Sequence, residues 1–188
     1  MLLASAPVRR VSVVGTSGAG KSTLAAALAR ALDADFLELD SVFHQPDWVP
    51  LPREEFRERV AAAVAGERWV IDGNYTSQVK DLVWARADTV VWLDLQRRTV
   101  MRRIIWRSFR RAAARTELWN GNRERWRNFF SLDKEESVIA WAWQTHAATR
   151  AKLEAAMADP GNGRLEFVRL TSPAGVRRFL QGLGVAGS

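Results

Sequence analysis

Short apolar runs alternate along this chain with longer segments of helical spacing. "RRVSVVG" (9–15) runs into a glycine loop and reads as a buried parallel strand. "DFLELD" (35–40), "RWVID" (68–72), "DTVVWLD" (88–94) and "RLEFVRL" (164–170) predict four further strands. Between them, "KSTLAAALARAL" (21–32) has the alanine and leucine content of a helix. "PREEFRERVAAAVAG" (52–66) has proline at a helix start, acids in the first turn and glycine at the end.

"RRTVMRRIIWRSFRR" (97–111) is helical, with Met101, Ile105 and Phe109 on one face and Arg103, Arg107 and Arg110 opposite. Residues 112–132 lose the period and contain "NGN", which predicts an irregular segment. A long helix over 133–159 opens on an aspartate cap, and "SPAGVRRFLQGL" (172–183) starts a last helix at Ser-Pro. The terminal "GVAGS" is expected to fray. Strands alternating with helices, without repeat or linker, predict one α/β domain whose parallel sheet is covered on both faces.

Composition narrows the chemistry. The 188 residues, 47% of them hydrophobic, are enough for a substantial core. The absence of cysteine excludes disulfides, zinc–thiolate sites and thiol nucleophiles. No run approaches a membrane span, and "MLLASAPVRR" lacks the leading basic region of a signal peptide, so the expected compartment is the cytoplasm. The net charge of +7 is unevenly spread. From Arg97 to Arg127, eleven arginines face only Glu117 and Glu124, a local charge of +9 that leaves −2 for the rest. Such a surplus implies an anionic partner, either nucleic acid or a phosphorylated small molecule.

The strongest motif is Gly15-Thr16-Ser17-Gly18-Ala19-Gly20-Lys21-Ser22, which satisfies G-x-x-x-x-G-K-[ST] after a strand and at the start of a helix. Glycines let the backbone N–H groups, including that of Thr23, wrap a phosphate, and the helix N-terminus adds partial positive charge. Lys21 is positioned for the β- and γ-phosphates and Ser22 for magnesium. The alternative, a glycine-rich turn matching by chance, leaves the flanking strand and helix unexplained.

With "GTSGAGKSTLA" (15–25), "LDSVFHQPDWVP" (39–50), "REEFRERV" (53–60), "WVIDGNYTS" (69–77), "ADTVVWLDL" (87–95) and "ELWNGNRE" (117–124) in order, the chain resembles the P-loop kinases of the adenylate kinase type. More closely it resembles the related bacterial proteins labelled "topology modulation protein". The resemblance implies a five-stranded parallel sheet of order 2-3-1-4-5 sandwiched by helices. It also implies one domain over 1–188, with a core of 8–112 and 133–184 and an arginine-bearing lid at about 107–132. It implies ATP with Mg2+, and a nucleotide base beside the loop that includes Ser172 and Pro173. The arginine that follows "DG" in monophosphate kinases is absent: Asn74 and Tyr75 stand in that region.

Asp72 ends the third strand beside the phosphate-loop strand and is expected to orient magnesium, or else to cap a turn. Asp40 ends the second predicted strand at the edge where ligands bind in open α/β sheets, suited to position an acceptor hydroxyl or take its proton. Its alternative role is a turn cap. Phe43, His44 and Trp48 are the expected pocket wall. His146 reads as a structural or exposed residue, Asp94 as a helix cap, and Arg53 and Arg57 as solvated helix residues, with a clamp on an acceptor phosphate as their alternative. Arg107 and Arg123 are the expected lid arginines that neutralise the transferring group. The expected function is transfer of the ATP γ-phosphoryl to a small-molecule acceptor, nucleosides and nucleotides among them, by a monomer or homodimer. The alternative is a nucleic-acid-associated ATP-binding protein, in which Trp106, Trp119 and Trp126 interleave with arginine and stack on bases.

Overall fold

The structure, a computed structural model, describes residues 8–114, 120 and 138–183. The element order is β1 (Arg10–Gly15), α1 (Lys21–Leu32), β2 (Asp35–Glu38), α2 (Leu39–Phe43), α3 (Arg53–Ala63), β3 (Trp69–Asp72), α4 (Thr76–Arg86), β4 (Thr89–Leu93), α5 (Arg97–Ala114), α6 (Val138–Ala158), β5 (Glu166–Leu170) and α7 (Pro173–Gly182). The five strands form one sheet of order β2-β3-β1-β4-β5, and every pairing is parallel. The predicted fold class is therefore the observed one.

Alternation along the central strands sorts the core into two layers. Val11 and Val13 of β1 join Leu24, Leu28, Val70 and Val91 beneath α1, α5 and α7. Val14 points the other way, to Ile71, Trp92, Phe56, Val60 and Val83 beneath α3, α4 and α6. Successive side chains of a strand face opposite sides, so a strand buried on both faces must be apolar throughout. Trp69, Trp84 and Trp92 fill the second layer, and Trp84 Nε1 donates to Ser12 Oγ at 3.3 Å.

Three sequence expectations change. The predicted strand over 35–40 stops at Glu38, and Leu39–Phe43 is helical. Asp40 therefore sits in the first turn of α2 rather than at a strand end. Helix α4 had no counterpart in the predicted elements, because "TSQVKDLVWAR" carries almost no apolar periodicity. The buried residues of α5 are Val100 and Ile104, with Met101 half-buried, whereas Ile105 is 47% exposed. The helix is rotated from its expected face because Ile104 is seated on the glycine loop. Among the described residues, no helix is long and apolar enough to cross a membrane.

Candidate functional site

The loop after β1 is shaped by close approach. Gly15 has φ +144°, and a Cβ there would lie 2.6 Å from the Leu93 carbonyl oxygen. Gly18 has φ +79°, and its Cβ would meet Ile104 Cγ1 at 2.1 Å. These two positions exclude any side chain, and they press the loop between β4 and α5. Gly20, also left-handed, precedes α1 and makes no side-chain cap. The first-turn N–H groups of α1 are thus left for an anion at the positive end of the helix.

Ser22 stands in that first turn. Its Oγ lies 2.5 Å from Asp72 Oδ2 and 2.7 Å from Glu38 Oε1. One hydroxyl has one proton to donate, so two carboxylates are gathered on a donor that satisfies only one of them. The other oxygen of Asp72, Oδ1, is buried without a hydrogen-bond partner. Burial, first, raises the Asp72 carboxyl to about 6; Glu38 and Asp40 push it the same way, against Lys21 and Ser22. A buried carboxylate with a half-buried one and an exposed hydroxyl gathered beside a phosphate loop suits a hard divalent cation. Among the described residues no group of three or more His, Cys, Asp or Glu forms a complete protein cage. Magnesium takes one or two protein ligands and completes its shell with phosphate and water.

The loop after β3 braces the site. Asn74 Oδ1 accepts from the Gly15 N–H at 2.9 Å, and Asn74 Nδ2 donates to the Gly15 carbonyl at 2.6 Å. Gly73, at φ +145°, packs against Leu39, where a Cβ would approach Leu39 Cβ to 2.9 Å. This contact brings the start of α2 against the end of β3. Tyr75 then donates to Asp40 Oδ1 at 2.6 Å. Burial, and after it the Asp40 charge, raise the Tyr75 hydroxyl above its ordinary value, so it remains a donor.

Around Asp40 stands an aromatic group. Phe43 contacts His44, Phe56 and Tyr75 with ring centroids 5.2, 5.3 and 4.8 Å apart. His44 in turn meets Trp48 edge to face at 5.4 Å. Trp48 is presented at the tip of a loop closed by the His44–Pro50 bridge, with Asp47 and Trp48 both at positive φ. Burial lowers the His44 pKa, which leaves a neutral imidazole. Asn120 reaches this loop and donates through Nδ2 to the Ser41 carbonyl at 3.2 Å and the His44 carbonyl at 2.5 Å.

The arginine helix meets the phosphate loop directly. Arg103 Nη1 donates to the Ala19 carbonyl at 2.7 Å. Arg107, one turn further, is half-buried. Arg123 lies outside the described residues, as does the proposed lid apart from the end of α5 and Asn120. Ser172 Oγ accepts from Gly175 N–H at 3.1 Å, capping α7, and Pro173 opens that helix. Both sit past β5, at the same carboxyl edge of the sheet as Gly15.

Other expectations are corrected. Asp94 is buried and accepts from Arg169 Nε and Nη2 at 2.9 and 2.6 Å, so it anchors β5 rather than capping α5. Arg57 stays partly exposed on α3, as expected of a helix arginine, and is also paired there with Asp81 at 2.6 Å and with the Gln78 carbonyl. Of the two expectations for His146, structural or exposed, the structure shows the first: it is buried with Nε2 3.0 Å from the Leu95 carbonyl. Sequence reasoning missed the parts of Glu38, Asn74 and Tyr75. The signal available for the last two was their place directly after "DG".

Structure comparison finds P-loop small-molecule kinases. A sugar kinase from a Janibacter species is 22% identical with a TM-score of 0.51, over 96% of each chain. Shikimate kinase from Acinetobacter baumannii, solved with shikimate, is 17% identical with a TM-score of 0.52, over 93% of this chain and 89% of that one. A gluconokinase from Sinorhizobium meliloti is 20% identical with a TM-score of 0.50, over 94% and 91%. No protein-family model and no curated protein sequence matches the chain. At these identities the likeness is one of fold.

Proposed function

We propose that this chain is an ATP-dependent phosphotransferase that moves the γ-phosphoryl of Mg-ATP to a hydroxyl of a small-molecule acceptor. The observation that carries the reading is the meeting of Ser22 with Asp72 at the mouth of a complete phosphate loop, with Asp72 Oδ1 buried and unsatisfied. The remaining loop amides between Thr16 and Thr23, with Lys21, hold the phosphates, the Gly15 N–H being taken by Asn74 and that of Ala19 by the Thr16 carbonyl. Ser22 and Asp72 would hold Mg2+, which neutralises phosphate charge when bound. Asp40, pinned by Tyr75, aims its free oxygen at the acceptor O–H. The acceptor oxygen bonds to the γ-phosphorus, the bond to the bridging oxygen breaks, ADP leaves, and the proton passes to Asp40 or solvent.

Arg107 and Arg123 are proposed to neutralise the transferring group from a lid at about 107–132, with Arg103 bracing the loop beneath them. Support comes from Arg103 on Ala19 and from Asn120 on the acceptor loop. Ser172 and Pro173 are proposed to border the base. The fold shared with sugar, shikimate and gluconate kinases supports a small acceptor.

The test is calorimetric titration of Mg-ATP into wild type and Lys21→Ala. Affinity is expected to drop at least tenfold with the circular dichroism spectrum unchanged, since no core volume is lost; equal affinity overturns the reading. One observation favours a second reading, ATP-dependent nucleic-acid binding: Trp106 is 63% exposed on a helix whose Arg98 and Arg102 are also exposed. That reading requires oligonucleotide binding at physiological salt that weakens steeply as salt rises.

A further inference from the structure

We propose that Arg103 is a positioning residue for phosphate binding: through its bond to the Ala19 carbonyl it aims the Gly20 N–H at the phosphates that the loop holds. The inference rests on the reading of the loop as a Mg-ATP site and names a residue outside the loop that sets one of its donors.

Arg103 stands on α5, 84 positions along the chain from the residue it touches. Its place is set by its neighbours. Val100 and Ile104, both buried, seat α5 on the core layer shared with α1, and Ile104 fills the space that a side chain at Gly18 would need. Arg103 is thereby carried against the next part of the loop, where its Nη1 donates to the Ala19 carbonyl at 2.7 Å. The same nitrogen lies 3.3 Å from where a Cβ on Gly20 would stand. Two consecutive residues of one helix thus meet the loop, one at Gly18 and the other at the peptide joining Ala19 to Gly20.

That peptide is planar and trans, so its C=O and its N–H point in opposite directions. A carbonyl held toward α5 turns the Gly20 N–H away from α5. Gly20 is the residue before α1, and Lys21 and Ser22 follow it in the first turn, so the N–H is turned toward the anion-binding end of that helix. The Ala19 N–H is taken by the Thr16 carbonyl at 3.1 Å, whereas among the described residues none accepts from the Gly20 N–H.

A peptide next to glycine flips easily, because glycine adopts both signs of φ at little cost, and Gly20 sits at φ +97°. The flipped peptide would present a carbonyl oxygen to the phosphates in place of a donor. Arg103 selects the productive orientation before the nucleotide arrives. Its bond is also charge-assisted, and it polarises the peptide so that the N–H becomes a stronger donor.

The experiment titrates Mg-ATP, and Mg-tripolyphosphate, which has no base, into the full chain and into Arg103→Met by calorimetry. The variant keeps the length of the side chain and loses the donor. Affinity is expected to fall at least about tenfold for both ligands, by the same factor for each. That factor is expected to persist from about 0.1 M to about 1 M salt, where a through-space charge effect is screened out. Arg103→Lys, which keeps a donor for the carbonyl, is expected to lose less than Arg103→Met. Wild-type affinity in Arg103→Met overturns the proposal whatever its melting temperature, and so do equal losses in the two variants. A loss confined to ATP overturns it in favour of a contact to the base, and a loss that vanishes at high salt overturns it in favour of charge alone. Each of these results leaves Mg-ATP binding by the loop standing; wild type that binds no Mg-ATP overturns both.

Discussion

Asn74 holds the backbone of Gly15 with both ends of its amide, accepting from the N–H at 2.9 Å and donating to the carbonyl at 2.6 Å. The clasp ties the loop after β3 to the first residue of the phosphate loop, across the β1–β3 pairing. It fixes where the phosphate loop leaves the sheet.

Asn74→Ala removes both bonds and is expected to cost about 1–3 kcal/mol of stability. Mg-ATP affinity should fall by about tenfold, since the loop must then be ordered on binding. Asn74→Asp keeps the acceptor but loses the donor and sets a charge against the Gly15 carbonyl, so it should be at least as harmful. Thermal melts and calorimetry read both. Wild-type affinity in Asn74→Ala would make the clasp incidental to binding.

Tyr75→Phe deletes the hydroxyl that holds Asp40 while keeping the ring against Phe43 and Phe56. The expected result is unchanged Mg-ATP affinity and a kcat reduced by about tenfold. Asp40→Asn should reduce kcat more, by about a hundredfold, if its carboxylate takes the acceptor proton. Equal turnover in wild type and Asp40→Asn would assign Asp40 a purely structural part in α2.

Asp72 titrates at about 6 in the folded chain against an ordinary 3.8. Between those values the folded protein keeps a proton that the unfolded chain has released. Without Mg2+, stability from this group is therefore present below about pH 4, falls as pH rises toward about 6, and is flat above. Asp72→Asn abolishes that slope and should be more stable than wild type at pH 7 by about 2 kcal/mol in metal-free buffer. Magnesium requires the ionised carboxylate, so apparent magnesium affinity should weaken as pH falls through about 6. Denaturant melts across this range check the first point and metal titrations the second. Parallel stability profiles for wild type and variant would show that Asp72 titrates normally.

Gly18→Val puts a side chain where Ile104 already stands, at a positive φ that valine avoids. Loss of Mg-ATP binding and at least about 2 kcal/mol of stability are expected. Gly182→Ala, at a helical site with open space around it, should be neutral or slightly stabilising. Equal melting points for the two variants would show that α5 does not press on the loop.

The sheet and the phosphate loop were legible in the sequence because both are local. A strand buried on two faces must be continuously apolar, as "VSVV" and "TVVWL" are, and the loop needs glycine at fixed spacing before a helix. The pairing of Ser22 with Asp72 followed from placing two motifs on adjacent strands. Helix α4 was not legible: its sequence has little amphipathic period, and its helicity comes from packing of Val79, Val83 and Trp84 on the core. The end of β2 was misplaced for the same reason, since Leu39 turns into α2 to pack against Gly73.

The partners of single polar residues depended on the tertiary structure alone. Nothing local separates Arg57, bound to Asp81, from Arg103, bound to the phosphate loop, or Asn74 from any loop asparagine. A hydrogen bond between residues 59 positions apart is decided by which strands lie side by side. The sequence by itself therefore determined the α/β class and the phosphate loop, whose requirements are steric and periodic. The tertiary structure decided what braces that loop and what faces Asp40, because those contacts exist only once β3 lies against β1 and α5 against Gly18.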